Sequence, residues 1–302
     1  MKNKKILITG ALGQNGIILS QLLTKKKYQV YGWIKNKKYN HKIKSVNYEI
    51  INLEKKNTVT KCLKKIDPSV IVHFASENPS YLDNKSNKNF YTKNYTNTEN
   101  IIKSIKLLNK DIHFIFINSS QIFKKKNQKK YKESDKFHAY NSYTKFRLNI
   151  LKYLEKLSKE SNFEYTNLIL FNHDSKFRNK KFLMPRLAEA IKKKDVNFIE
   201  QIYKENITGD FSHANDICNA IYLLIKKNIK VKNLILSSSK KTSINSLIKS
   251  LLKKYSIQIQ IKSQSKNNPD YILGENKLAK KILKWQPFKN AFSAFEDIFL
   301  NS

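Results

Sequence analysis

Arginine is almost missing from this 302-residue chain: of its 59 basic residues only Arg147, Arg178 and Arg186 are arginines, and the other 56 are lysines spread over nearly every segment. Nucleic-acid readers favour arginine, whose planar fork pairs bidentately with guanine and phosphate, whereas lysine offers a hydrated point charge. The net charge of +36 therefore reads as a lysine-biased surface, and no nucleic-acid partner is expected. Cysteine is as scarce. Cys62 and Cys218 stand far apart, with no Cys-x-x-Cys and no histidine at ligand spacing, so they read as small core residues in a reducing compartment, without a metal site. No apolar run approaches the roughly 18 residues that a membrane span needs. The first residues lead directly into a strand pattern without the apolar core of a signal peptide, so a cytoplasmic protein with no membrane partner is expected. There is no Pro- or Gly-rich linker and no internal repeat.

What is present is a core-forming composition, 40% hydrophobic, in a regular rhythm. Short β-branched or aromatic runs at Ile6–Ile8, Gln29–Tyr31, Val46–Ile51, Val70–Phe74, His113–Ile117 and Tyr165–Phe171 predict strands. Amphipathic stretches at Gly16–Lys26, Thr58–Ile66, Tyr95–Leu108 and Ser142–Glu160 predict helices. Strands alternating with helices of this length predict an α/β, Rossmann-like, doubly wound parallel sheet, whose ligands lie beyond the carboxyl ends of the strands. After Phe171 the rhythm breaks. Helices are predicted at Leu183–Lys194, Asn215–Lys226 and Ile244–Tyr255, a strand at Leu234–Leu236 and a β run at Ile257–Ile261. The lysine clusters Lys124–Lys126 and Lys192–Lys194 read as solvated surface. The division expected is a dinucleotide-binding domain over 1–171 and a smaller α/β substrate domain over 172–302, with a return to the first around 211–238.

The first predicted strand runs directly into Thr9-Gly10-Ala-Leu-Gly13-Gln-Asn-Gly16 and then a helix. Gly10 suits the tight turn, Gly13 lets the backbone approach a pyrophosphate, and Gly16 lets helix and strand pack closely. The phosphate would sit on the exposed N–H groups at the positive end of the new helix. The second strand ends in Trp33-Ile34-Lys35-Asn36-Lys37-Lys38, with no Asp or Glu to hold a ribose 2′-hydroxyl. Lys35 and its basic neighbours suit a 2′-phosphate instead, which favours NADP over NAD.

Read together, these motifs resemble the extended short-chain dehydrogenase/reductase family of nucleotide-sugar epimerases and dehydratases. Asn52-Leu53 stands where the family has an adenine-contacting Asp-Leu, and His73-Phe74-Ala75-Ser76 where it has Asn-Leu-Ala-Ala. Phe171-Asn172-His173-Asp174-Ser175, followed by Phe182-Leu-Met-Pro-Arg186, looks like a segment of the GDP-mannose 4,6-dehydratases. So do Asp210-Phe-Ser-His-Ala214-Asn-Asp216 and Leu283-Lys-Trp285-Gln-Pro287. The resemblance spans nearly the whole chain. It implies a cofactor site that includes Gln14, Asn15, His173 and Arg178, a substrate site that includes Asn172 and Arg186, a GDP-sugar substrate and a homodimer. Gly209 and Asn268 stand where the family carries arginines, which weakens the likeness at the nucleotide end of the substrate.

Hydride exchange at C4 of a sugar needs a base for the hydroxyl proton, and a tyrosine beside a cation, steadied by a Ser or Thr hydroxyl, can supply it. A Tyr and a Lys four apart share a helix face. By the resemblance, Ser119 takes the family's Thr position and Lys145 its lysine position, yet four residues before Lys145 stands Asn141, with Tyr140 five away and Tyr143 two. Either Tyr140 at the helix entry still aims its hydroxyl at the sugar, or Asn141 replaces the base and the chemistry is crippled. Gln121 stands where the dehydratases carry the Glu that takes the C5 proton, and an amide cannot do so. The expected activity is GDP-mannose 4,6-dehydration with NADP, a lyase reaction. A GDP-sugar reductase or epimerase and an impaired NADP-binding homologue are the alternatives.

Overall fold

The computed structural model describes residues 4–36, 42–77, 89–123, 129–264 and 269–302. Lys37, Lys38, the Lys124–Lys126 cluster and Asn268 lie outside them. Its centre is a seven-stranded parallel sheet built from β1 (Lys5–Thr9), β2 (Gln29–Ile34), β3 (Val46–Ile50), β4 (Val70–His73) and β5 (His113–Ser119), continued after the short strand β6 (Lys129–Tyr131) by β7 (Tyr165–Leu170). The short β8 (Asn172–Asp174) and β9 (Thr208–His213) precede the seventh sheet strand, β10 (Asn233–Leu236). The spatial order is β10-β7-β5-β4-β1-β2-β3. The chain leaves β1 toward one edge and returns at β4 toward the other, which opens a crevice above the carboxyl ends of these two strands.

The sequence explains the layering. The central strands are buried on both faces: every residue of β4 and β7 is buried, the polar His73, Thr166 and Asn167 included. One face is covered by α1 (Gln14–Lys25), and the other by α2 (Lys56–Ile66), α3 (Asn89–Leu108) and α4 (Ser142–Glu160). The remaining helices are α5 (Leu183–Lys193), α6 (Val196–Glu205), α7 (Ala214–Lys226), α8 (Ile244–Lys254), α9 (Lys277–Leu283) and α10 (Ala291–Asn301). Of these, α7 and α9 join α1 on its face of the sheet. A third core gathers Leu187, Ile191, Ile199, Ile248 and Phe295 from α5, α6, α8 and α10.

Two small sheets complete the fold. The first orders β11 (Lys241–Ser243), β9 and β8, and the second pairs β12 (Ile272–Gly274) with β6. Asp210, fully buried on β9, accepts from the N–H groups of Ser238, Ser239 and Gly274 and from the Ser238 hydroxyl, so it fastens these pieces to the end of β10. One sequence expectation fails here. Ile257–Ile261 forms no strand; Ile257, Ile259 and Ile261 lay alternate side chains on the third core. Alternating side chains are enough for that half-buried contact. Among the described residues no helix is long and apolar enough to cross a membrane.

Candidate active site

The crevice above β1 and β4 widens into a cleft of about 1430 Å³. Its floor is the glycine turn. Gly10 has φ of +66°, and a Cβ there would lie 2.9 Å from the backbone nitrogen of Ala75; at Gly16 a Cβ would lie 2.4 Å from the carbonyl of Gly10. Neither position accepts a side chain, because the atoms in the way are backbone. The Trp33 carbonyl holds the turn by accepting from the N–H groups of Gly10 and Ala11. Gly13 caps α1 without a side chain, so the unpaired N–H groups of the first turn face the cleft and suit an anion.

Beneath the turn runs a hydrogen-bond relay. Thr98 Oγ1 donates to the Asn94 carbonyl and so accepts from His73 Nε2; His73 Nδ1 accepts from Thr9 Oγ1, which itself accepts from the Ala75 N–H. Burial, helped by the charge of Arg147, pushes His73 down to about 3. The ring is neutral and locks β1, β4 and α3 together. At the far side of the turn, Gln14 donates to the His173 carbonyl and accepts from Ser175 Oγ, while Asn15 lies 2.8 Å from His173 Nε2. His173 Nδ1 donates to the Phe171 carbonyl, and burial beside Arg178 pushes the imidazole down to about 4. The side chains of Gln14 and Asn15 thus tie α1 to the β8 segment.

The expected residues sort cleanly by position. Thr9, Gly10, Gly13, Gln14, Asn15, Gly16, Lys35, Asn52, Leu53, Phe74, Ala75, Ser76, Ser119, Asn172, His173 and Arg178 all line the cleft. Arg178 pairs through Nε with Asp174 at 3.0 Å and lies 3.7 Å over the Phe182 ring. Arg186 does not line the cleft: it sits on α5 with its guanidinium 4.6 Å from the Phe198 ring.

The expected Tyr140 and Lys145 lie elsewhere than the other expected residues. Neither Tyr140 nor Lys145 lines the cleft. Tyr140 is 54% exposed, and its hydroxyl donates to the Gln121 carbonyl at 2.5 Å. Lys145 is exposed and reaches toward the Tyr91 ring. The cause is the helix start. Asn141 is the N-cap of α4 in a full capping box with Thr144, so Asn141 is spent on the backbone. Tyr143 and Arg147, four apart, then share the buried face that looks into the cleft, at 7% and 4% exposure. The Arg147 guanidinium lies 4.5 Å from the Tyr143 ring centre. It donates to the Ile117 carbonyl near the end of β5 and reaches Ser76 Oγ at 3.5 Å. Ser119, the last residue of β5, accepts from the Gln121 N–H. In the sequence Tyr143 and Arg147 form a Tyr-x-x-x-Arg spacing. Two further lining residues, Glu77 and Lys93, carry no sequence motif. Among the described lining residues the only carboxylates are Glu54 and Glu77, in the segments that follow β3 and β4.

Comparisons with known proteins agree with this architecture. Residues 7–291 match the family model described as GDP-mannose 4,6 dehydratase. Among curated relatives, GDP-mannose 4,6 dehydratase of Drosophila melanogaster is 21% identical over 250 residues, covering 75% of this chain and 62% of that protein. GDP-6-deoxy-D-talose 4-dehydrogenase of Aggregatibacter actinomycetemcomitans is 28% identical over 229 residues, covering 75% of this chain and 71% of that protein. This chain thus spans less than two thirds of the fly relative. Among solved structures, UDP-glucose 4-epimerase from Brucella ovis in complex with NAD superposes with a TM-score of 0.83 at 16% identity, covering 98% of each chain. That likeness establishes the shared fold.

Proposed function

We propose that this chain, which belongs to the GDP-mannose 4,6-dehydratase family, interconverts a secondary hydroxyl and the corresponding ketone at C4 of a nucleotide sugar. The observation that carries the reading is that Tyr143, Arg147, which lies 4.5 Å from the Tyr143 ring and donates to the Ile117 carbonyl, and Ser119 line one cleft with the glycine turn. The residues fit a nicotinamide dinucleotide: at Gly10 and Gly16 the turn has room for backbone alone, and the start of α1 offers N–H groups to a pyrophosphate. When bound, the nicotinamide supplies or accepts the hydride. Lys35 at the mouth and the lack of an acid at the end of β2 favour NADP.

The chain's own residues handle the proton. Tyr143 Oη gives it to, or takes it from, the sugar oxygen, Ser119 Oγ steadies that oxygen, and Arg147 supplies positive charge beside the phenol. Asn172 and Arg178 from the β8 segment flank the space in which the sugar nucleotide would extend. Residues 172–302 accordingly supply most of the substrate side.

Full 4,6-dehydration is the second reading, favoured by the family model. It needs a base for the C5 proton. Gln121 offers an amide at that position, so C4 redox chemistry is the better fit. The test is to supply GDP-mannose with NADP, and separately a GDP-linked 4-keto-6-deoxy sugar with NADPH. Oxidation of NADPH by the keto sugar, with no product lighter by one water from GDP-mannose, is expected. Loss of water from GDP-mannose would establish the second reading, and inertness toward GDP- and UDP-sugars alike would sink both. Gln121→Glu is expected to bring in dehydration.

A further inference from the structure

We propose that Glu77 and Lys93 set the choice between dinucleotides that carry a 2′-phosphate and those that do not, Glu77 working against the phosphate and Lys93 for it. The inference rests on the reading of the cleft as a nicotinamide dinucleotide site. Three elements meet at its mouth. Lys35 follows β2, Glu77 follows β4, and Lys93 projects from the second turn of α3; all three line the cleft with Asn52, Leu53 and Glu54. One carboxylate oxygen, Glu77 Oε1, takes both amines: Lys93 Nζ at 2.8 Å and Lys35 Nζ at 3.8 Å.

The Glu77 main chain is held on both sides by Asn94, which is buried. Its Oδ1 accepts from the Glu77 N–H at 2.9 Å and its Nδ2 donates to the Glu77 carbonyl at 3.3 Å. The Glu77 backbone is therefore anchored to α3 one residue from Lys93. Its hydrogen bond to Lys93, with the field of Glu54 added, raises the Lys93 ammonium above its ordinary range, so this amine is a lasting cation.

Such a cluster offers two faces to an adenosine ribose. A diol is a donor pair, and Glu77 can accept from it, which is the role an acid at the end of the second strand plays in NAD-specific sites of this architecture. A phosphate monoester carries about −1.5 to −2 charge at pH 7. It is an acceptor alone, so it repels Glu77 and draws Lys35 and Lys93. Because these ion pairs are half exposed, they are weak and exchangeable, and the doubly charged ligand can replace the carboxylate as their partner. The acid that the end of β2 lacks is thus supplied from the end of β4, bracketed by two lysines.

The test is to titrate NADPH and NADH, by nicotinamide fluorescence, into the wild-type chain and into Glu77→Gln, Lys93→Met and Lys35→Met. Glu77→Gln is expected to raise NADPH affinity about threefold to tenfold and to lower NADH affinity, since one repulsion and one acceptor are lost together. Lys93→Met is expected to lower NADPH affinity about tenfold, with NADH within about twofold of wild type. Lys35→Met should act in the same direction with a smaller effect, because its contact is longer. Equal changes for both dinucleotides, or none, in Glu77→Gln and Lys93→Met would overturn the proposal while leaving the cleft's function standing. Failure of the wild-type chain to bind either dinucleotide would sink the functional reading, and this inference with it.

Discussion

The two ends of the cleft are made of different materials. At the glycine-turn end the geometry is set by backbone: a Cβ at Gly10 or Gly16 collides with main-chain atoms, and the neutral His73 relay fixes β1, β4 and α3 at fixed spacing. At the reacting end the geometry is set by where one helix begins. The cap at Asn141 puts Tyr143 and Arg147 on the inner face of α4 and turns Lys145 outward. A backbone-built end tolerates almost no substitution, whereas a side-chain-built end can exchange one cation for another and keep its shape.

The largest expected effect breaks that comparison at the reacting end. Tyr143→Phe removes the phenol oxygen from the cleft and is expected to lower turnover by about 10² to 10⁴, the usual range for a general acid–base group. The glycine turn is untouched, so NADPH affinity should stay near wild type. Tyr140→Phe loses a surface hydrogen bond to the Gln121 carbonyl, and turnover should fall by less than about threefold, a surface effect of a few tenths of a kcal/mol. Steady-state rates with the GDP-linked keto sugar, set beside NADPH titrations, separate the two variants. The reverse ranking would return the reacting end to Tyr140 and Lys145.

How much was legible in the sequence follows the same divide. The strands and helices of the first 170 residues, the doubly wound class and the turn at Gly10–Gly16 could all be read, because strand burial and glycine sterics leave few alternatives. The placement of Tyr143 in the cleft could not, because a four-residue spacing is informative only when the chemistry of its second member is left open. In a chain with 56 lysines and three arginines, lysine is the expected cation, and Arg147 does not stand out. The short elements β6, β8, β9, β11 and β12 were also illegible, since three- to six-residue pairings depend on partners distant in sequence. The Lys35, Glu77 and Lys93 cluster is of the same kind: three separate segments meet there, and no local pattern announces it.

Acid is the next lever, and it acts on the turn end. Folding pushes His73 down to about 3 and His173 to about 4, in each case first by burial and then by a neighbouring arginine. A folded-state value below the ordinary 6.5 means that the unfolded chain takes up the proton first. The stability these rings confer is therefore complete above about pH 6.5 and is lost as pH falls toward their folded values. At pH 5 each ring accounts for about 2 kcal/mol of that loss. His113 and His213, both pushed to about 4 by burial, act in the same direction. Urea unfolding at pH 7 and pH 5 should show a clear drop in midpoint. A flat response would mean that the rings are not buried neutral, and the rigidity assigned to the turn end would go with them.

The smallest effect tests the cause assigned to the reacting end. Asn141→Ala deletes the acceptor for the Thr144 N–H and half of the capping box, at an expected cost of about 1 kcal/mol. If the cap only stabilised α4, turnover at a temperature well below unfolding would not change. If it places Tyr143, fraying of the first turn moves the phenol relative to Ser119, and turnover should fall several-fold while NADPH affinity at the distant glycine turn stays constant. Asn141→Asp and Asn141→Ser keep a cap acceptor and should restore both stability and rate, whereas Asn141→Gln, with its acceptor one carbon farther out, should restore neither. Stability lost without any loss of rate would show that packing of Tyr143 against Phe146 and Phe90, and not the helix start, holds the reacting end in place.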